Sequence, residues 1–219
     1  MPTIVYASSK GGSGKTTAAI ILASELARQG VSFTLIDADP NKHLFSWASS
    51  VGCENVKEAN QSNILEVIEE AENKSKFVLV DLEGSANMTM GYAISQADLV
   101  IIPCKPSDLD GQEAIKIASF IKQQEKVLNR SIKYALLRTQ TKAAIHTKIE
   151  QAIVNDFTET GSIVFKNRLL DREAYKNIVS YSCYIHDLEA KNKRDEETKN
   201  KAINTANDYC IELIEILNR

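Results

Sequence analysis

The sequence offers few residues that could form a covalent or metal-linked framework. It has four cysteines, Cys53, Cys104, Cys183 and Cys210, and none of them is spaced as Cys-x-x-Cys. Such scattered positions disfavour both a disulfide framework and a structural metal site. We expect reduced cysteines, most of them buried.

Long apolar runs and a net positive charge are also lacking. No apolar stretch approaches the roughly 20 residues that a transmembrane helix needs. The N-terminus shows no basic, apolar and small-residue signal pattern, so we expect a cytoplasmic protein. The formal net charge is −3, and contact with nucleic acid would therefore need a local basic patch.

The rest of the composition is that of an ordinary folded domain. The 219 residues are 43% hydrophobic and 25% charged, which suffices for one large core and gives no sign of disorder. We find no linker, repeat or low-complexity segment. Residues 1–219 are expected to form a single domain.

Short β-branched segments alternate with amphipathic ones along the chain. The predicted strands are residues 3–7, 32–37, 77–81, 99–103, 132–138 and 162–165, and the predicted helices are 16–29, 109–128 and 195–217. Near-continuous apolar runs such as 77–80 are typical of strands buried on both faces. The pattern predicts an α/β fold with a doubly wound, mostly parallel sheet flanked by helices.

The segment GGSGKTT (11–17) follows the first predicted strand and opens the first predicted helix. Its glycines, Gly11, Gly12 and Gly14, let the backbone around Ser13 turn its N–H groups towards phosphate oxygens, and the helix N-terminus adds its positive dipole end. The next three side chains would balance β/γ-phosphate charge, ligate Mg²⁺ and reach the α-phosphate; they are Lys15, Thr16 and Thr17. The sequence therefore predicts a P-loop NTPase.

Acidic side chains follow two of the predicted strands. Asp81 ends the apolar run FVLV, an arrangement that holds an acid for Mg²⁺ at a buried strand end. Asp37 and Asp39 follow the second strand, at the edge where ligands of open α/β sheets bind. We expect Asp37 in the outer coordination shell of the metal. Gly84, three residues after Asp81, is expected to contact the γ-phosphate through its N–H.

Four motifs together resemble the ParA/MinD family of deviant Walker A ATPases. They are KGGSGKTT (10–17), LIDADPN (35–41), LVDLEGS (79–85) and DLVIIPCKPSDLD (98–110), in the order and spacing of that family. The resemblance covers nearly the whole chain and implies that the nucleotide is ATP. It also implies that Lys10 reaches across a homodimer interface to the partner's ATP, and that Asp39 orients the hydrolytic water.

Three further acidic residues lie in or near these motifs. Glu83 is separated from Asp81 by Leu82, so we do not interpret it as the catalytic glutamate that directly follows this aspartate in many ATPases. This absence fits the deviant class, in which hydrolysis is slow. Asp108 and Asp110 are candidates, with Lys105, for coupling the ATP state to partner surfaces, although for Asp108 a cap on the helix from 109 is preferred.

One window of this acidic chain is basic. No Asp or Glu occurs between Glu125 and Glu150. Five residues in the window are candidates for DNA contact: Lys126, Arg130, Lys133, Lys142 and Lys148. Phosphate contacts need only Lys and Arg on one surface, and the window therefore indicates binding of non-specific DNA.

The resemblance favours the small plasmid-partition ParA type, without an N-terminal helix-turn-helix because the loop begins at residue 10. The expected protein is a nucleoid-associated, ATP-dependent homodimer that binds DNA and releases it when a small centromere-binding adaptor stimulates hydrolysis. One alternative is an accessory ATPase of conjugative DNA transfer, which LLRTQTKAAIHTKIEQ (136–151) resembles. The other is a MinD-like membrane-positioning ATPase. It is disfavoured because the last helix has a core-type apolar face, with Glu212 and Glu215 interrupting its polar face, so we expect no membrane contact.

Overall fold

The computed structural model describes residues 1–142, 148–159 and 161–219, and it contains a parallel sheet with helices on both faces. The strands are β1 (Thr3–Tyr6), β2 (Phe33–Ala38), β3 (Val56–Glu58), β4 (Phe77–Leu82), β5 (Leu99–Cys104), β6 (Tyr134–Thr141), β7 (Ile163–Val164) and β8 (Leu169–Leu170). Their order is β3-β2-β4-β1-β5-β6-β7, and β8 pairs with the end of β6. The strand pairs of the described residues are parallel.

Six helices lie between the strands of the described chain, and two more follow the last strand. They are α1 (Lys15–Arg28), α2 (His43–Ser50), α3 (Ile64–Glu72), α4 (Met88–Gln96), α5 (Asp108–Leu128), α6 (Lys148–Glu159), α7 (Glu173–Ser180) and α8 (Lys193–Leu217), with one 3-10 turn at Ile185–Asp187. The predicted α/β fold, a doubly wound parallel sheet flanked by helices, is confirmed.

Alternation along the central strands produces two separate cores. Ile4 and Tyr6 of β1 face a core that is completed by α1, α2, α7 and α8, whereas Val5 and Ala7 face a core completed by α3, α4, α5 and α6. Successive side chains of a strand point to opposite faces, so helices are needed on both sides. This explains why the central strands carry near-continuous apolar runs.

Each predicted strand and helix has a counterpart in the structure, whereas β3, β8, α2, α3, α4, α6 and α7 lie outside the predicted ranges. β6 begins at Tyr134 and continues to Thr141, three residues beyond the predicted end, because Thr139 and Thr141 pair with β8. In α5, the apolar spacing of Ile115 and Val127 with Ile117, Ala118 and Ile121 predicts that both face the core, but they are 39% and 78% exposed. The helix buries a narrower stripe than its sequence suggests.

Helix α8 packs along α1. Its Ala206, Cys210 and Leu213 are buried, as expected for a core-packed helix, whereas Ile214 is 39% exposed. Glu212 is also buried, and its carboxylate accepts hydrogen bonds from two backbone N–H groups in the β7–β8 loop, at 2.6 and 2.8 Å. Among the described residues, no helix has both the length and the apolar character to cross a bilayer.

Candidate functional site

The predicted phosphate-binding loop joins β1 to α1 at the carboxyl edge of the sheet. Gly12 and Gly14 adopt φ angles of 73° and 98°, in the left-handed region that favours glycine. Gly14 precedes the first residue of α1, and within the described ranges no side-chain hydrogen bond caps the helix there. The first N–H groups of α1 therefore stay available for an anion.

A serine that the sequence analysis did not single out organises the interior of the loop. The Ser8 hydroxyl accepts hydrogen bonds from Lys15 Nζ and Ser13 Oγ, both at 2.9 Å, and donates to the Lys10 carbonyl at 2.8 Å. Lys15 is buried, and burial lowers its pKa, while Asp81, Asp39 and Glu83 oppose this shift. A buried ammonium of this kind is stabilised by an added anion.

Thr16 and Asp81 form the predicted metal-binding pair. Thr16 Oγ1 donates to Asp81 Oδ2 at 2.5 Å, whereas the buried Asp81 Oδ1 has no hydrogen-bond partner within the described part of the chain. Burial raises the pKa of Asp81 to about 7, and the charges of Asp37 and Asp39 add to this effect while Thr16 and Lys15 counter it. A free carboxylate oxygen beside a hydroxyl suits a divalent cation that prefers oxygen ligands.

Asp37 and Asp39 occupy different environments although they are two residues apart. Asp37 is buried, and its two oxygens accept the N–H groups of Asp39 at 3.0 Å and Phe45 at 2.8 Å. It thereby fixes the turn into α2, and burial raises its pKa. Asp37 neighbours Asp81 across the β2–β4 pair, which is compatible with a place in the outer coordination shell of a metal. Its role towards a metal stays a prediction.

Asp39 lies half-buried at the rim of the site. Its Oδ1 accepts two hydrogen bonds from Asn41, each 2.9 Å long. The field of Asp39 also reaches the Lys15 ammonium. The position is therefore close to the predicted phosphate site, and its catalytic role stays a prediction.

Gly84 contacts the loop by direct backbone packing. A Cβ at this position would lie 2.7 Å from both Gly11 N and Lys10 C, a distance that would force the backbone to move. The preceding Glu83 is half-buried and accepts a 3.1 Å hydrogen bond from Asn87 Nδ2. The backbone of Gly84 thus packs directly against the backbone of Lys10 and Gly11. Its contact with a γ-phosphate stays a prediction.

The end of β6 supports the loop from the other side. Thr139 Oγ1 donates to the Ser13 carbonyl at 2.7 Å, and a Cβ on Gly14 would lie 3.3 Å from Thr139 Cβ. Gln140, with φ at 52°, donates to the Gly12 carbonyl at 3.4 Å. The polar run Thr-Gln-Thr lies beyond the predicted strand 132–138, and it is the sequence signal for this support.

A cavity of about 360 Å³ opens beside the loop, towards α7. Its walls come from the start of α1, the end of β6, β8 and α7, and they include Thr17, Leu169, Tyr175 and Val179. A nucleoside would fit a concave, mainly apolar space of this size. The wall formed by β6, β8 and α7 is not predictable from the loop sequence, since its residues lie more than 120 positions from the loop.

The two lysines of the loop have different partners. Lys15 Nζ contacts Ser8 inside the loop, whereas Lys10 Nζ lies 3.4 Å from Asp110 Oδ1 at the start of α5. Lys10 is 47% exposed in its side chain, and Gly11 and Gly12 beside it are exposed as well. Asp108 does not cap α5 as expected, because Ser107 occupies the cap position and accepts from Asp110 N at 3.2 Å.

The structure does not bring the five candidate DNA-binding residues onto one surface. Lys126, Arg130 and Lys133 precede β6, whereas Lys142 and Lys148 follow it. An eight-residue strand is roughly 25 Å long. The first group therefore lies at the amino ends of the strands and the second at their carboxyl ends. The window is continuous in sequence but not in space.

Two of these side chains already hold backbone groups. Arg130 donates to the Ala97 carbonyl at 2.7 Å, and Lys133 Nζ donates to the Leu217 carbonyl at 2.8 Å. Lys126, Lys142 and Lys148 are exposed. Arg138, within the same window, binds Glu150 and two backbone carbonyls, while His146 lies outside the described residues.

Comparison with known proteins places the chain among ParA-like sequences. A family model described as VirC1 protein matches residues 1–218. The protein ParA of Rhizobium radiobacter is 35% identical over 195 residues, which are 87% of this chain and 88% of that protein. Protein virC1 of the same species is 31% identical over 148 residues, 63% of this chain and 64% of that protein. Among solved structures, a McdA variant in complex with ATP from Cyanothece covers 94% of this chain and 96% of its own, with a TM-score of 0.69 at 18% identity.

Proposed function

The chain belongs to the VirC1 family within the ParA/MinD group, and on that premise we propose that it is an ATP-dependent DNA-partition ATPase. ATP and Mg²⁺ bring two subunits together, and the dimer binds non-specific DNA on the nucleoid. A small centromere-binding adaptor stimulates hydrolysis, after which the dimer separates and releases the DNA.

The arrangement of the two loop lysines carries this proposal. Lys15 is buried inside the loop against Ser8, next to the Thr16–Asp81 pair that we propose for the metal. Lys10 belongs to the same loop but lies outside that site, on an exposed rim with Gly11. A single nucleotide site needs only Lys15. Lys10 is therefore available for a nucleotide held by another subunit.

The residues present fit Mg²⁺ and ATP. Thr16 Oγ1 and Asp81, whose Oδ1 has no hydrogen-bond partner among the described residues, would hold the metal directly or through water, and Asp37 lies next to Asp81 on the neighbouring strand. The loop N–H groups and Lys15 would hold the phosphates, and the cavity lined by Leu169 and Tyr175 would hold the nucleoside. Bound Mg²⁺ would neutralise charge on the phosphate oxygens.

Asp39 is the proposed residue that orients the attacking water. It lies half-buried after β2, and its charge acts on Lys15. Asp39→Ala should therefore bind ATP and dimerise but hydrolyse slowly, which traps the dimer on DNA. Rapid release of DNA by this variant in ATP would contradict the assignment.

Lys10→Ala tests the proposed dimer switch. ATP binding should survive because Lys15 and the loop backbone remain, whereas ATP-dependent dimerisation and hydrolysis should fall. Sedimentation velocity with ATP and with ADP measures the first, and phosphate release measures the second. A variant that hydrolyses ATP at the wild-type rate would refute the role across the interface.

Lys142 and Lys148 are the best candidates for DNA contacts that depend on ATP. Both are exposed, and both follow β6 at the edge of the sheet that carries the nucleotide site. Lys126 is equally exposed but lies at the opposite edge. Arg130 and Lys133 are weaker candidates, since their side chains hold backbone carbonyls.

Co-sedimentation with plasmid DNA and with anionic liposomes, each with ATP or ADP, tests the DNA partner. We expect binding to DNA in ATP alone, a loss in the variant Lys142→Glu/Lys148→Glu, and near-normal binding in the matched control Lys126→Glu. Since each phosphate contact adds to the salt dependence, the double variant should also flatten the slope of affinity against salt. Binding to liposomes and not to DNA would support the MinD-like alternative instead.

An accessory role in conjugative DNA transfer is the second candidate. The segment 136–151 resembles a relative with that role, and positions 143–147 of it lie outside the described residues. Both candidates predict ATP-dependent DNA binding, so the assay must be genetic. Loss of the plasmid from dividing cells after deletion supports partition, whereas normal inheritance with reduced transfer to recipients supports the second role.

A further inference from the structure

The amine of Lys10 is held by a carboxylate of its own chain. Asp110 Oδ1 lies 3.4 Å from Lys10 Nζ, and Asp110 is only 8% exposed. The other carboxylate oxygen, Oδ2, accepts a hydrogen bond from Ser107 Oγ. The carboxylate is therefore fixed in the first turn of α5, while the lysine that it holds is half-exposed.

A second contact joins α5 to the same part of the loop. Ser9 Oγ donates to Glu113 Oε2 at 2.5 Å, one helical turn beyond Asp110. Glu113 also binds Lys116 at 2.6 Å. The start of α5 thus presents two acidic side chains to residues 9 and 10, and Lys10 lies on that acidic surface within the single chain.

We propose that Asp110 is a positioning residue that acts through Lys10 and opposes self-association by holding this lysine within its own subunit. The inference rests on the proposed function, in which Lys10 binds the nucleotide of the partner. To reach that nucleotide, Lys10 must leave Asp110, and a phosphate must replace the carboxylate. Asp110 therefore sets the ATP-dependent dimerisation constant without touching nucleotide.

The expected size of the effect follows from the exposure of the pair. A lysine that is 47% exposed gains little from an ion pair, so each pair should weaken the dimer by about two- to five-fold. A symmetric dimer gives up two such pairs. Removing both should tighten the ATP-bound dimer by about four- to 25-fold.

Asp110→Asn is the direct test, because asparagine keeps the shape and can still bind Ser107. Asp108→Asn is the matched control: it removes a charge from the same helical turn, but Asp108 is exposed and has no ion pair with Lys10. Sedimentation velocity at several protein concentrations in ATP gives the dimer dissociation constant, and calorimetry gives ATP affinity. We expect a tighter dimer only for Asp110→Asn, with ATP affinity unchanged, and a return to the wild-type constant in Asp110→Glu.

A double-mutant cycle separates positioning from a general effect on the fold. In a Lys10→Ala background, Asp110→Asn should no longer tighten the dimer, because the group that Asp110 holds is gone. Thermal unfolding checks each variant, and Asp110→Ser replaces Asp110→Asn if the latter does not fold. An unchanged or weaker dimer in Asp110→Asn, or equal tightening in Asp108→Asn, overturns the inference. A wild-type chain that stays monomeric in ATP overturns the proposed function itself.

Discussion

Asp81 should destabilise the nucleotide-free protein whenever it is ionised. Its pKa is raised from 3.8 to about 7, mainly by burial, and its Oδ1 has no partner among the described residues. The folded chain therefore holds the proton more tightly than the unfolded chain does. Stability falls as pH rises between these two values and stays low above about 7.

Asp81→Asn removes this penalty because asparagine cannot ionise. A shift of about three pKa units corresponds to up to about 4 kcal/mol. Between about pH 5 and about pH 8 the stability of the variant relative to wild type should increase by about 2–3 kcal/mol, since wild-type Asp81 loses its proton over that range. Other titrating groups are shared by both proteins and cancel in the comparison.

Urea unfolding of both proteins without nucleotide and metal, at the two pH values, measures the effect. Addition of Mg²⁺ and ATP should then stabilise the wild type much more than the variant, and hydrolysis by the variant should be lost. A stability difference that is the same at both pH values, or a variant that is less stable at high pH, would refute the assigned environment of Asp81.

Three other changes probe the loop support, the nucleoside cavity and the C-terminal helix. Gly84→Ala places a Cβ 2.7 Å from Gly11 N, so ATP affinity measured by calorimetry should fall at least about tenfold as the loop shifts; unchanged affinity would mean that the loop is not held from this side. Val179→Trp fills part of the 360 Å³ cavity and should weaken ATP and ADP alike, whereas equal affinity to wild type would place the nucleoside elsewhere. Glu212→Gln loses charge-assisted hydrogen bonds to the β7–β8 loop and should cost about 1–2 kcal/mol in urea unfolding, and a cost near zero would contradict its role there.

The sequence predicted the features that are encoded locally. The loop between β1 and α1 needs glycines at fixed spacing, so Gly12 and Gly14 identify it without tertiary information. Asp81 was predictable because an acid at the end of a buried apolar run, within the strand, has few structural reasons to be there. The strand–helix alternation likewise predicted the doubly wound sheet.

The features that escaped prediction depend on distant segments. Thr139 holds the Ser13 carbonyl across 126 positions of sequence, and nothing near Ser13 encodes that partner. The cavity wall at β8 and α7 is similar, since Leu169 and Tyr175 read as ordinary core residues. Both features follow from the pairing of β6 with β8. β8 has only two residues, which is too short for its sequence pattern to predict a strand.

The basic window shows the opposite problem. Its residues are close together in sequence, but Lys126 precedes β6 and Lys142 follows it, so the full length of this strand separates them. Arg130 and Lys133 also turned out to bind backbone carbonyls. Charge patterning along a chain indicates a surface only where the intervening segment folds back, and an extended strand does not.

Mixing two inactive variants tests most directly whether Lys10 acts on the nucleotide of the partner. In a mixed dimer of Lys10→Ala and Asp39→Ala, one site retains its own Asp39 and receives Lys10 from the other subunit. An equimolar mixture, at protein concentrations that favour dimers, should therefore release phosphate faster than either variant alone, with a ceiling of about a quarter of the wild-type rate, because random pairing makes half of the dimers mixed and each mixed dimer has one intact site. If the mixture hydrolyses ATP no faster than the two variants do separately, Lys10 acts within its own subunit and the account is wrong.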